Sequence, residues 1–438
     1  MLPKNTMVAE PVAAITFGSH AGNVDVAVRI MRRDNNIPSQ LKPIRVLFHV
    51  THLRRGGGIE SSLLSWLAVL DRTRFAPGLS IAFPTDELEV EFRPRIPADV
   101  QVHVLGAAPW LSHFRNLKTT GRIGWAGRIY EEVLLPQIRK RVFRHRVQRL
   151  IQDYDLIIDY DMSLVRFASG FGKPLIGIGH FRFPEREAVK PRRHRALLHY
   201  YRRYDAIVAI CEAMREGGCR LFPQLAERFT TLYPGFDGAD IRRRAALPAA
   251  DLPAQPYLIT VTRLEETQKD VSTLIRAYAQ LVECQGLEEI LLIVGHGRHQ
   301  AQLERLAREL GVAQRVRFAG FQPNPLPLVR GARLLALSSR FEGLPTVLIE
   351  ALMLGQVIVS TDCPTGPREI LKSGEAGLLV PVGDVDAMAA ALLAGLRDAA
   401  LRERLRQATA AQAAMFEVAA FRLRFAALLH RLGVGMKA

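Results

Sequence analysis

Short apolar runs alternating with helical segments recur from residue 44 to beyond residue 350, and this alternation constrains the fold more than any other feature of the chain. In the first half the runs are IRVLFHV at 44–50, DLIIDY at 155–160, PLIGIGH at 174–180 and AIVAI at 206–210. In the second they are YLITVTR at 257–263, LLIVG at 291–295, VRFAG at 316–320, LLALSS at 334–339 and VIVST at 357–361. Runs this apolar are buried on both faces, which points to parallel sheets covered by helices. At 438 residues the chain exceeds the roughly 250–300 at which a single core stops growing, so two domains are expected. The predicted division is an extension at 1–43, a first domain at 44–237, a Pro- and Ala-rich linker at 238–256, a second domain at 257–417 and a helix within 418–438. Two doubly wound, Rossmann-like domains then face each other across a cleft, with ligands at the carboxyl ends of the strands.

Composition excludes several classes. A hydrophobic fraction of 48% with 23% charged residues is that of a soluble globular protein, and no apolar run approaches the roughly 18 residues of a spanning helix. The first residues lack the basic lead-in of a secretion signal. Cys211, Cys219, Cys284 and Cys363 form no Cys-x-x-Cys pair, so neither a zinc site nor a disulfide framework is indicated, and reduced thiols in a cytoplasm are expected. The net charge of +16 is concentrated: 111–150 carries ten Lys or Arg against two Glu, and 181–203 carries eight against two. In the first stretch Ile138, Val142, Phe143, Val147 and Leu150 share about half of a helix, with Arg139, Arg146 and Arg149 among them. That suits a solvated basic helix or attachment to an anionic membrane surface. Without a zinc finger, helix-turn-helix or aromatic RNA-binding signature, nucleic acid is not expected as a partner.

Three loops carry candidate chemistry. Gly56, Gly57 and Gly58 follow the first strand and precede a helix, which suits either a plain tight turn or close approach of backbone amides to a bound group. Arg263 and Lys269 lie in one strand-to-helix connection and could neutralise a diphosphate, although surface cations are common. Gly295-His296-Gly297 lacks the third glycine of a dinucleotide fingerprint. In SSRFEGLPTVLIEALMLG, Glu342 and Glu350 bracket a turn of Gly343, Leu344 and Pro345 that opens a helix at Thr346. Free amides there suit phosphate oxygens, and carboxylates on either side suit paired hydroxyls. The plainer reading makes Glu342 a helix cap and Glu350 a surface residue, yet Leu348, Ile349, Leu352 and Met353 surround Glu350.

Taken in order, GGGIE, IGIGHF, YDAIVAICEAMRE, the Arg263 and Lys269 pair, LLIVGHG and SRFEGLPTVLIEALMLGQVIVSTDCPTGPREIL resemble the retaining GT-B glycosyltransferases of family four, with their Glu-x7-Glu motif. The likeness extends over roughly 45–432 and is similar to that of bacterial surface-polysaccharide and lipopolysaccharide enzymes. It implies a nucleotide-sugar donor, UDP first and GDP second, held mainly by the second domain. The acceptor, a saccharide or a polyprenyl- or lipid-linked saccharide, would approach from the first. By that resemblance Glu342 contacts the donor sugar, Gly343 and Leu344 amides the phosphates, Glu350 the ribose, and Arg263 with Lys269 the diphosphate, and Pro345 and Thr346 also bind the donor. His180 faces the sugar, and Gly57, Gly58 and Gly295 line the donor side. No metal and no cofactor are expected. The resemblance further implies transfer of a hexosyl or N-acetylhexosaminyl group with retention, at the inner face of the cytoplasmic membrane, and a last helix returning to the first domain. Cys211 where relatives carry serine, and Tyr233-Pro234-Gly235 where they carry asparagine-proline, are departures that bear on local packing.

Alternatives are another GT-B sugar-nucleotide enzyme, such as an epimerase or phosphorylase, and a basic, non-catalytic membrane-binding protein. A metal-dependent transferase would use Asp159-Tyr160-Asp161. That pattern recurs at Asp153/Asp155 and Asp384/Asp386, and a one-domain enzyme leaves the second half unexplained.

Overall fold

The computed structural model describes residues 42–54, 58–106, 135–180, 189–249 and 252–435, with 124, 125 and 127. The expectations for residues 1–41, for Gly56 and Gly57, and for most of the basic stretches at 111–134 and 181–188 lie outside the described residues.

The first sheet comprises β1 (Ile44–Val50), β2 (Phe75–Ile81), β3 (Gln101–Val104), β4 (Leu156–Asp159), β5 (Leu175–Gly179), β6 (Ala206–Ala209) and β7 (Phe229–Thr231). Its order is β3-β2-β1-β4-β5-β6-β7, with every neighbouring pair parallel. The second sheet comprises β8 (Tyr257–Val261), β9 (Ile290–Val294), β10 (Val316–Gly320), β11 (Leu334–Leu337), β12 (Ile358–Thr361) and β13 (Leu378–Val380). It runs β10-β9-β8-β11-β12-β13, again all parallel. The order reverses direction between β1 and β4 and between β8 and β11, the switch points where open α/β sheets form binding crevices.

All nine apolar runs read from the sequence fall on strands. The four strands not anticipated are β2, β3, β7 and β13. β2 reads FAPGLSI, and Pro77 and Gly78 inside it mask the pattern. Gly78 is needed because a Cβ there would fall inside the Tyr154 ring. β3, β7 and β13 are short pieces of three or four residues at or near the sheet edges.

The basic helix Leu135–Leu150 buries a different stripe from the one expected: Leu135, Arg139, Phe143 and Val147, spaced four apart, while Ile138 is exposed. The Arg139 guanidinium lies over the Phe83 ring at 5.4 Å, and Phe143 packs on the same ring at 5.2 Å. The arginine therefore acts as part of the core, through its stem and a cation–π contact.

The chain crosses between domains at two adjacent places. Phe236 N–H donates to the Phe416 carbonyl at 2.8 Å, and Val418 N–H donates to the Phe236 carbonyl at 3.2 Å. After this double crossing the helix Val418–Arg431 lies on the first domain. Phe421 meets Trp66 edge-on at 4.7 Å, Phe425 meets Trp66 at 5.7 Å and Phe75 at 5.6 Å, and the Arg422 guanidinium donates to the Val69 carbonyl. Between the sheets, the stretch expected as a linker opens with a helix, Gly238–Ala245, capped by the Asp237 side chain.

A second tie joins the halves. The helix Glu212–Leu221 of the first domain has no side-chain cap from its own N-cap residue, Cys211. Glu369 of the second domain supplies one, accepting from the Glu212 and Ala213 amides at 2.8 Å each and from the Tyr233 hydroxyl at 2.7 Å. A carboxylate on free N–H groups at a helix start is favoured by both hydrogen bonding and the helix dipole.

Candidate active site in the interdomain cleft

The site assembles where the ends of β8 and β11 face the ends of β1, β4 and β5. Beyond β8, Thr262 N–H bonds Val294 O and Leu264 N–H bonds His296 O, so the Arg263 loop is held along the β9 loop. Gly295 makes this possible: its φ is +131°, and any Cβ would collide with the Thr262 carbonyl. A short helix, Glu266–Lys269, follows, and Asp270 turns the chain in the left-handed region at φ +46°. That conformation is unfavourable for a residue with a side chain. Arg340 holds it, at 3.0 Å from the Asp270 carboxylate.

The turn delivers Lys269 to Glu342. Their ion pair is 2.5 Å long and almost wholly buried, and Glu342 also accepts from the Ser339 hydroxyl at 2.6 Å. Glu342 therefore spends its carboxylate on Lys269 and Ser339, and Pro345, the N-cap residue of the helix Thr346–Met353, makes no side-chain cap bond. Its main-chain carbonyl takes the Thr365 hydroxyl, fixing the turn from the β12 side. Lys269, expected at the diphosphate, has one donor committed to Glu342; an ammonium carries three. Arg263 is exposed, 3.2 Å from the Gln268 side-chain oxygen.

Gly343 reaches across the cleft. A Cβ on it would come within 2.7 Å of the His180 carbonyl oxygen, so only glycine permits this approach of the two domains. Its own carbonyl lies 3.7 Å from the Cys211 thiol. Gly366, at φ +91°, packs beneath the Pro345 ring in the same way. Leu344 and Pro345 are buried and Thr346 half-buried at the helix start.

On the facing side His180 is buried against the Tyr160 ring at 4.7 Å, and its Nε2 has no partner among the described residues. Burial pushes its pKa down to about 4, so the imidazole is neutral near neutral pH. His49 behaves alike: burial lowers it to about 4 against the pull of Asp161. Burial would raise Asp161, but His49 and hydrogen bonds from Ser163 and Thr51 hold its pKa down. Asp159 accepts from the Ser163 and Leu164 amides and the Tyr204 hydroxyl, and burial raises it to about 8. Both carboxylates of the Asp159-Tyr160-Asp161 run are thus absorbed in first-domain hydrogen bonding. Among the described residues no group of three His, Cys, Asp or Glu is arranged to hold a metal ion.

Gly58 begins the helix Gly58–Val69, and Gly57 lies outside the described residues. In the first turn of that helix stands Glu60, whose carboxyl accepts from the Arg54 amide at 3.2 Å. Burial raises its pKa while Arg263, from the other domain, opposes the shift. Glu350 is half-buried in the middle of its helix; burial pushes its pKa up to about 7, with Arg244 pulling the other way. Residues that sequence reasoning passed over here are Glu60, Ser339 and Thr365. Each lies within three residues of a motif glycine or glutamate, and that proximity is the one signal that could have found them.

Two family models match the chain: Glycosyltransferase Family 4 over residues 95–239 and Glycosyl transferases group 1 over 249–412. Among curated proteins, the lipopolysaccharide core biosynthesis glycosyltransferase LpsE of Rhizobium meliloti is 33% identical over 209 residues, 48% of this chain and 58% of that protein. A Campylobacter jejuni N-acetylgalactosaminyltransferase, acting on a diphospho-undecaprenol saccharide, is 30% identical over 217 residues, 50% of this chain and 58% of its own length. The chain thus spans little more than half the length of these relatives. Among solved structures, Anabaena HepE in complex with UDP and glucose superposes with a TM-score of 0.65 at 20% identity, over 89% of this chain and 100% of that one.

Proposed function

Because the chain belongs to the GT-B glycosyltransferases, with a family 4 first half and a group 1 second half, we propose that it moves a sugar from a nucleotide-diphosphate donor to a saccharide or lipid-linked saccharide. The observation that carries the proposal is the meeting of the buried Lys269–Glu342 pair with His180 across Gly343.

In this reading the diphosphate lies between Arg263, the remaining ammonium donors of Lys269 and the uncapped start of Thr346–Met353. Glu350 takes the ribose hydroxyls, and Glu342 with the neutral His180 takes the sugar. When the bond from the anomeric carbon to the phosphate oxygen breaks, its electron pair stays on the phosphate. Fixed cations and amides stabilise that charge where it develops, without a metal. The acceptor hydroxyl oxygen bonds the anomeric carbon on the face the phosphate leaves, and its proton passes to the leaving phosphate oxygen. Configuration is retained. UDP is the favoured nucleotide, as in HepE, whose structure contains it. Relatives named for lipopolysaccharide core and diphospho-undecaprenol saccharides support a cell-surface glycan product. No helix among the described residues is long and apolar enough to cross a membrane.

Calorimetric titration with UDP, GDP and ADP in EDTA tests the proposal. UDP binds without metal, and Lys269→Ala weakens it by about tenfold or more, as expected for loss of a charged hydrogen bond. Binding that appears only with Mg²⁺ or Mn²⁺ overturns the metal-free site.

A further inference from the structure

At the opposite edge of the first sheet from the cleft, the amino-terminal starts of β5, β6 and β7 border a cavity of about 820 Å³. Four cationic side chains line it, Lys173, Arg203, Arg228 and Arg431, with Asp205 the single acidic one. Asp205 is already used: it accepts from the Leu175 amide at 2.8 Å, which fixes the start of β5. Arg203 is held from behind by the Val165 carbonyl at 2.6 Å, and Arg228 by the carbonyls of Arg202 at 2.8 Å and Tyr204 at 2.6 Å. Main-chain oxygens thus orient both guanidinium groups without neutralising them. Lys173 and Arg431 have no carboxylate partner among the described residues. Arg431 is exposed by area, yet enough protein surrounds its guanidinium to depress its pKa.

Unneutralised cations gathered in a concave site are costly unless an anion joins them. Gly170 and Gly172, both at positive φ, shape the loop on one side, and open space lies beside each. The final helix closes the other side through Arg431 and Leu432. β5 and β6 separate this cavity from the cleft by roughly 13–17 Å, at about 3.3 Å per residue, so a donor bound in the cleft does not fill it. Its volume lies in the range of small-molecule sites.

We propose that this cavity binds a phosphoryl group, as a second anion site separate from the nucleotide cleft. Arginine forks and a lysine point charge match phosphate oxygens. The source is either the headgroup of an anionic phospholipid or a soluble phosphate ester, and the test separates them. The soluble probe is glycerol phosphate, titrated calorimetrically into the whole protein at low salt with UDP present. The surface probe is vesicles of phosphatidylcholine, with and without phosphatidylglycerol, assayed by co-sedimentation. The variant Lys173→Ala/Arg431→Ala weakens the bound probe by about tenfold or more, while Lys269→Ala leaves it unchanged. Loss of both probes in the double variant, or of anionic vesicles alone, assigns a lipid headgroup; loss of glycerol phosphate alone assigns a soluble ester. The site is overturned if neither probe binds, if the double variant binds as the parent does, or if Lys269→Ala abolishes binding. Failure of UDP to bind leaves this readout intact, since the probes do not depend on the cleft.

Discussion

Glu350 and His180 titrate in opposite senses, both because burial penalises charge. The folded-state pKa of Glu350 is raised from 4.5 to about 7, so the folded protein holds a proton there that the unfolded chain has released. The stability associated with neutral Glu350 is complete below pH 4.5 and is lost as pH rises through about 7. His180 is lowered from 6.5 to about 4, and its contribution is lost as pH falls from 6.5 through about 4. The two windows overlap and partly cancel in the parent, so each must be read against a neutral replacement. Glu350→Gln gains a few degrees of melting temperature over the parent between pH 4.5 and pH 8; a constant difference would show that its charge is not buried. Glu350 is also where sequence reasoning reached furthest at this scale. Its apolar neighbours were visible, but the pairing of Lys269 with Glu342 was not. Seventy-three positions separate those two residues, and the left-handed turn at Asp270 that aims the lysine leaves no mark in composition.

At the scale of elements, strand periodicity was legible wherever a strand is central and apolar, and it failed at β2, where a glycine contact replaces hydrophobicity, and at the edge strands β3, β7 and β13, though not at the edge strand β10. β2 shows the reason: Gly78 is chosen by the Tyr154 ring, a partner 76 positions away. Likewise Arg139 reads as an interruption of a hydrophobic face and is a buried member of it. The cap that Glu369 places on Glu212–Leu221 is equally non-local, since the helix's own sequence offers Cys211 there. Glu369→Ala removes three hydrogen bonds to that carboxylate and is expected to destabilise the protein by about 1–2 kcal/mol. Hydrogen exchange at the amides of residues 212 and 213 should accelerate more than at β6. Uniform acceleration would mean that the contact serves only global stability.

For the whole molecule, two domains follow from chain length and the returning helix from the family resemblance, whereas the aromatic seat awaiting that helix follows from neither. Trp66 is fully buried by Phe48, Tyr160, Phe421 and Phe425, and only two of these four come from its own domain. Phe421→Ala should cost about 3–5 kcal/mol and raise the acrylamide-accessible share of tryptophan emission. If the loss stays below about 1 kcal/mol, the helix does not depend on this contact.

The bond from Arg422 to the Val69 carbonyl joins residues 353 positions apart. A ribosome adding roughly 5–20 residues per second releases Trp66 well before it makes the helix that covers it. For tens of seconds the nascent first domain carries a bare aromatic stripe, a surface suited to a chaperone or to a second nascent copy. Slow codons downstream of residue 66 would lengthen that interval, and solubility in the cell would then depend on translation speed as well as on the finished fold.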